Sequence, residues 1–296
     1  MSRNTFTRSP RMPGFQPKGE NEGDGRQGHF VSCTIIKTGK ARLKCAAMNT
    51  VADSSAAALR AFRRRLIGAA TAPYRSAGHF AWHFARGKLG RDPVFFSLLA
   101  RGEFPPTVRM TDLGCGQCLL ANLLTSAARL FEAGDWPASW PPPPRLESYR
   151  GIELMPRDVE RARPALPPGA VVEQGDIRHV DFGPANVVVI LDSLHYIDHA
   201  AQDAVLERAR RTLAPDGVLV LRVGDAAAGW PFMLCSWVDH LVTWVRGHRL
   251  GQLHCRPAVA WQRKLESLDF RVHPQPMDAG TPFANTLLLA RLGNDK

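Results

Sequence analysis

The stretch Val108 to Leu124, VRMTDLGCGQCLLANLL, constrains the fold of this chain more than any other. A short apolar run ends at an acid, Asp112. The turn Gly114-Cys115-Gly116 follows, and then a helical run containing Leu119, Leu120, Leu123 and Leu124. The pattern is strand, tight glycine turn, helix. Glycines let the backbone pass close to a ligand, and the helix N-terminus offers unpaired N–H groups at the same place. The dinucleotide fingerprint G-x-G-x-x-G is not met, because Cys118 and Leu119 stand where a third glycine is wanted.

With 296 residues the chain has length for one large or two small domains and ample apolar content for a core. A net charge of +11 invites a nucleic-acid reading, but much of it sits at one end: residues 1–47 hold nine Lys/Arg against three Asp/Glu. That segment is rich in Gly, Pro and polar residues without a sustained period, so it reads as a disordered basic tail or a misassigned start, with Met48 as the alternative beginning. An RNA-gripping tail is the lesser reading. Six cysteines, at 33, 45, 115, 118, 235 and 255, form no regular framework. Cys115-x-x-Cys118 has no second C-x-x-C and lies inside the turn, so packed, reduced thiols are preferred to a redox pair or half a zinc site. No metal site is expected. No run approaches a membrane span and no signal-peptide core is visible, which sets a cytoplasmic, membrane-free expectation.

Residues 48–106 read as an N-terminal helical cap. Ser54 or Ser55 is predicted to cap a helix with Leu59, Phe62 and Leu66 on one face and Arg60, Arg63, Arg64 and Arg65 elsewhere. His79, Phe80, Trp82, His83 and Phe84 crowd a second helix, and Asp92-Pro93 starts a third with a cap and an N1 proline. After the glycine-turn helix, residues 134–148 with Pro141 to Pro144 form a semi-rigid loop that Trp136 and Trp140 can pack down.

Residues 107–296 read as the main domain. A second strand, Tyr149 to Glu153, ends in an acid suited to holding two ribose hydroxyls. Met155-Pro156 starts a helix through Arg163. A third strand runs into Gly175-Asp176-Ile177, and a fourth, Asn186 to Leu191, is uniformly apolar, as a strand buried on both faces should be. It leads into Asp192-Ser193-Leu194-His195-Tyr196. An amphipathic helix over Ala201 to Ala214, a turn at Pro215-Asp216-Gly217 and a fifth strand over Val218 to Val223 come next. An apolar-aromatic helical insertion with Trp230, Phe232, Trp237 and Trp244 precedes two closing strands, Phe270 to Pro274 and Ala284 to Arg291.

Four strand ends thus deliver Asp112, Glu153, Asp176 and Asp192 in series, with the glycine turn first. Over about Thr107 to Arg291 the chain resembles the class I S-adenosylmethionine (SAM) methyltransferases, whose first motif is D/E-x-G-x-G-x-G; here Cys118 replaces the last glycine. The resemblance implies an α/β, Rossmann-like sheet of seven mostly parallel strands, the last antiparallel, with helices on both faces and N-terminal helices covering the site. It implies SAM as cofactor, held by Asp112, Gly114, Cys115, Gly116, Glu153, Asp176, Ile177, Asp192 and Ser193. Asp176 would accept from the adenine amino group while Ile177 packs on the ring. Covering helices in that family often fold over the substrate, which makes His79, His83 and Lys88 substrate-side candidates; Tyr196, after the fourth strand, is a further one.

The D/N/S-P-P-Y/F/W signature of exocyclic-amine nucleic-acid methyltransferases is absent after the fourth strand, and so is the Pro-Cys pair of pyrimidine C5 enzymes. A small or carrier-bound acceptor is therefore favoured over nucleic acid. His195, titrating near 6.5 when unperturbed, could deprotonate an acceptor oxygen during in-line attack or could merely flank the cofactor, with even weight on each. The stretches AGHFAWHFARGKL, DLGCGQC, GDIRHVDF, LDSLHYID, RVGDA, RGHRL and GTPFAN look similar to methyltransferases of bacterial aryl-polyene pigment biosynthesis. That implies secondary metabolism, with a hydroxyaryl acceptor, methylated on oxygen or ring carbon, and an acyl carrier protein as a conceivable partner. The alternatives are an RNA- or protein-directed methyltransferase and, from another class, a non-catalytic SAM-binding partner protein.

Overall fold

The computed structural model describes residues 39–224, 253–277 and 285–293, with side chains from residue 55 onward. The chain divides into two compact units, Met1–Thr50 and Val51–Lys296. Helix α1 spans Gly39–Thr71. Ser54 and Ser55 lie within it, so the predicted helix start there is corrected. The stretch from Ala46 to Ala61 is rich in alanine, the best helix former, and two serines cost too little to interrupt it. Phe62 and Leu66 are buried and the four arginines are exposed, as the periodicity required.

Helix α2 covers His79–Arg91 and α3 covers Pro93–Arg101. The α3 start is the predicted one: the Asp92 carboxylate accepts from the Val94 N–H at 3.1 Å, and Pro93 occupies the first turn. Gly102 ends it in the left-handed region at φ +66°. The proline-rich loop is pinned to α1. The rings of Trp136 and Trp140 stand edge-on to Phe62 at 5.3 and 5.6 Å, and Trp136 donates to the Pro141 carbonyl at 2.9 Å.

The remaining elements are β1 (Thr107–Leu113), α4 (Leu119–Glu132), β2 (Arg145–Glu153), α5 (Pro156–Ala162), β3 (Ala170–Gln174), β4 (Ala185–Leu191), α6 (His199–Thr212), β5 (Leu213–Gly224), α7 (Ala258–Glu266), β6 (Phe270–Pro276) and β7 (Asn285–Leu292). They build one seven-stranded sheet in the order β3-β2-β1-β4-β5-β7-β6. β1 to β5 are parallel, and β7 runs antiparallel to both neighbours, as expected of a seven-stranded mostly parallel sheet. The predicted turn at Pro215–Gly217 is corrected: Leu213 pairs Ala185 and Val218 pairs Val187, so Ala214–Gly217 is an irregularity inside β5. The amphipathic helix consequently stops at Thr212. β2 also starts earlier than predicted, at Arg145, directly after the prolines.

The central strands β4 and β5 serve two cores. Val187, Val189, Val218 and Val220 face α1 to α4, while Val188, Ile190, Leu219 and Leu221 face α6 and α7. This is the period of two of a strand covered on both sides. The predicted aromatic insertion, with Trp230, Phe232, Trp237 and Trp244, lies outside the described residues. Among the described residues no helix is long and apolar enough to cross a membrane.

Candidate active site

In a parallel sheet the strands deliver their C-terminal ends to one edge, where open α/β proteins hold ligands. Here that edge carries the four acids, and the turn after β1 is its centre. Gly114 has φ +73° and Gly116 φ +55°, both left-handed. A Cβ on Gly114 would lie 2.5 Å from that of Ser193, so the residue must be glycine for the β1 and β4 ends to meet. A Cβ on Gly116 would meet nothing within 4 Å, which leaves the open approach a ligand needs. Cys118, standing where the family motif has glycine, keeps the glycine conformation at φ 57° and ψ 39° as the residue before α4.

Side chains outside the motif hold this left-handed turn. The Tyr74 hydroxyl donates to the Gln117 carbonyl at 2.6 Å and accepts from Asn122 at 3.0 Å. Gln117 Nε2 donates to Asp158 of α5 at 3.1 Å. All four residues are buried.

Asp112 is buried under the turn and accepts from the Tyr149 hydroxyl at 2.6 Å. Burial is the main cause that raises its pKa to about 7; the Tyr149 hydrogen bond opposes the rise and the nearby Glu153 charge adds to it. Glu153 closes β2. Its Oε2 accepts from the Gly116 N–H at 2.8 Å and its Oε1 from the Met155 N–H at 2.9 Å. Burial also raises its pKa, against those two hydrogen bonds. Two buried carboxylates around an open glycine turn suit a ligand that brings hydroxyl and amino donors.

Asp176 stands at the third position but is turned to Arg178, whose guanidinium reaches both of its oxygens, Nε to Oδ1 at 3.0 Å and Nε to Oδ2 at 2.9 Å. That ion pair lowers its pKa. Ile177 packs into the core with Leu113 and Ile152. Ser193 ties two strand ends, its Oγ donating to the Leu113 carbonyl at 3.0 Å.

Asp192 anchors the least foreseen part of the site. It has φ 59°, and its carboxylate binds Arg222 of β5, with Nε to Oδ1 at 2.8 Å. The same guanidinium, 2% exposed, grips Asp92 at the start of α3, with Nη2 to Oδ2 at 2.7 Å. Lys88 of α2 adds contacts of 2.9 Å to Asp92 and 3.8 Å to Asp192. Burial works against the charge of Asp92 and of Asp192, and the cations outweigh it, so both carboxyls lie below the usual range. The four charges balance one another and pin the covering helices to the ends of β4 and β5. The sequence held one hint of this, an arginine inside an otherwise apolar strand.

A cavity of about 110 Å³ opens between this cluster and the turn, lined by Asp112, Gly114, Gly116, Asp192, Lys88 and Phe84 among others. α2 therefore meets the site through Phe84 and Lys88. The predicted substrate residues His79 and His83 are exposed and face each other, Nε2 to Nε2 at 2.9 Å, away from the cavity lining. One helix cannot turn residues 79 and 83 and residues 84 and 88 to the same side. His195 lies in the turn after β4, largely buried, its ring 4.2 Å from that of Tyr196, with burial lowering its pKa and the Asp192 charge partly restoring it. Tyr196 is exposed. Neither is among the residues lining the cavity. Among the described residues no cluster of three or more His, Cys, Asp or Glu could hold a metal ion.

Residues 111–221 match the family described as a methyltransferase domain. Over 115 residues, 37% of this chain, the sequence is 37% identical to the carboxy-S-adenosyl-L-methionine synthase of Chromohalobacter salexigens. The match spans only 37% of that relative's length. An O-methyltransferase family protein from Burkholderia thailandensis superposes with a TM-score of 0.51 at 19% identity, over 69% of this chain and 56% of that one. The mitomycin 7-O-methyltransferase MmcR superposes with a TM-score of 0.50 at 20% identity, over 72% of this chain and 56% of that one. At such identities the structures share the fold. Residues 111–221 thus match a methyltransferase domain, and the fold around them is the one those solved structures share.

Proposed function

We propose that this protein transfers a methyl group from SAM to a hydroxyaryl acceptor, small or carrier-bound. The observation that carries the methyl-transfer part is the open, left-handed glycine turn flanked by the buried carboxylates Asp112 and Glu153 at the carboxyl edge of the sheet. These residues fit the cofactor, which supplies an electrophilic methyl on a sulfonium sulfur. Glu153 Oε1 and Oε2 accept from vicinal ribose hydroxyls once they exchange their backbone partners. Asp192, fixed by Arg222, offers a carboxylate to an ammonium group. His195, kept neutral near pH 7 by burial, takes the acceptor proton on a ring nitrogen. Rate comes chiefly from holding acceptor oxygen, methyl carbon and sulfur in line.

The hydroxyaryl acceptor rests on the aryl-polyene resemblance and on the missing nucleic-acid signatures. Incubating the protein with methyl-labelled SAM and a panel of hydroxyaryl acids, free and carrier-bound, tests it by mass spectrometry. Labelled product on an aryl substrate supports the reading; turnover of labelled RNA or protein in its place would replace the acceptor. The carboxy-SAM synthase relative favours a second reading, in which SAM itself is the molecule altered. The same experiment separates the two, because a changed nucleoside mass with no methylated acceptor would support the second.

A further inference from the structure

The glycine turn holds two sulfur atoms for which methyl transfer has no use. Cys118 Sγ donates to Cys115 Sγ at 3.4 Å, and the backbone closes the same turn, from the Cys118 N–H to the Cys115 carbonyl at 2.9 Å. A turn closed in this way keeps its end Cα atoms within about 7 Å, close to the span of about 4.4–6.8 Å that a disulfide bridges. The two sulfurs need to approach by roughly 1.4 Å to reach bonding distance. β2 makes room for them: a Cβ on Gly151 would stand 2.7 Å from Cys115 Sγ and 3.0 Å from Cys118 Sγ. Cys115 lines the cavity and Cys118 is fully buried behind it. One sulfur is reachable from the ligand side, and the second is within reach of the first, as an attacking and a resolving thiol must be.

We propose that Cys115 and Cys118 are a reversible disulfide-forming site, and that disulfide closure and cofactor binding exclude each other. The inference rests on reading the turn as the SAM cradle. The oxidant class is a small-molecule disulfide. The Cys115 thiolate attacks one of its sulfurs, giving a mixed disulfide and releasing the first thiolate. Cys118, deprotonated, attacks Cys115 Sγ, forms the intrachain bond and releases the second. Both cysteine protons end on the released thiols; the protein pair loses two electrons and the oxidant gains them. The Cys118 hydrogen bond and burial hold the Cys115 thiol above its usual pKa, so its attack is slow until the turn opens. A ligand filling the cavity removes that access. In return, drawing Cys115 toward Cys118 reshapes the peptide whose Gly116 N–H binds Glu153.

The test oxidises the full-length protein with excess glutathione disulfide, with and without SAM, and reads two quantities. Tryptic peptide Met110–Arg129 contains both thiols and no other cysteine. It is expected to become lighter by two hydrogens and resistant to alkylation, more slowly when SAM is present. Calorimetry is expected to show SAM affinity reduced about tenfold or more on oxidation and restored by a reducing agent. In Cys118→Ser, and in Cys118→Gly should the serine variant fold poorly, the peptide should stop at the Cys115 mixed disulfide and carry the mass of the oxidant's thiol, with no internal disulfide. If reduced protein binds SAM but the peptide forms no internal disulfide, or forms one without loss of affinity, the proposal is overturned alone. If reduced protein does not bind SAM, the methyl-transfer reading falls and takes the proposal with it.

Discussion

At Asp112 the local chemistry makes a pH-dependent claim. Its pKa of about 7 stands above the ordinary aspartate value of about 3.9. Between those values the folded protein keeps a proton that the unfolded chain has lost, so this group's contribution to stability falls as pH rises through the window. Asp112→Asn keeps an acceptor for Tyr149 and removes the charge. Its melting temperature relative to wild type should therefore improve from about pH 4 to about pH 8 in the ligand-free protein; a flat difference would show that Asp112 is ionised throughout. Glu153→Ala deletes the ribose-facing carboxylate, and SAM binding should weaken by about 1.5–3 kcal/mol, as for lost charged hydrogen bonds. Calorimetry on the folded variant decides it, and unchanged affinity would reassign Glu153 to holding the turn. His195→Ala should lower turnover by about 10²–10⁴-fold if the imidazole is the base. Because burial lowers its pKa, the acid limb of the wild-type rate profile should lie below about 6.5 and vanish in the variant. Turnover surviving within a few fold would leave His195 a packing residue.

Between elements, the Arg222 cluster does what the glycine turn does not: it joins α2 and α3 to the sheet. Arg222→Met keeps volume but leaves Asp92 and Asp192, two carboxylates that face each other across the lost cation, to share the partly exposed Lys88 ammonium. Breaking a buried pair in this way costs about 3–5 kcal/mol, which denaturant unfolding would measure. A loss of about 1 kcal/mol, no more than an average substitution, would mean that water solvates the two acids. The αL conformation of Cys118 belongs to the same scale. Tyr74 and Asp158 reach the turn from other segments and hold Gln117, and Asn122 fixes the Tyr74 hydroxyl, so a non-glycine residue persists where the motif asks for glycine.

For the molecule as a whole, Phe62 is the first buried core residue among the described side chains, and the chain divides after Thr50 into two compact units. Removing residues 1–47 should leave the thermal transition and SAM affinity of the remainder unchanged, by scanning calorimetry and titration. A large fall in either would make the basic segment part of the working protein.

The succession of strands along the chain, the two-sided burial of β4, the α3 cap and the acid at each strand end were all written in local patterns, because period, caps and glycine turns act over a few residues. The direction of a side chain relative to distant partners is not local. The sequence places His79 and Lys88 on one helix with equal plausibility; only packing of α2 on the sheet turns Lys88 inward and leaves His79 outside. Asp92 reads as a cap and Arg222 as an oddity in an apolar strand, and 130 residues separate them. Their meeting needs the chain to be folded, since a buried charge is tolerated only where tertiary structure brings its counter-charge. The same holds for the paired thiols beneath the glycine turn, which need the space left by Gly151 on the neighbouring strand.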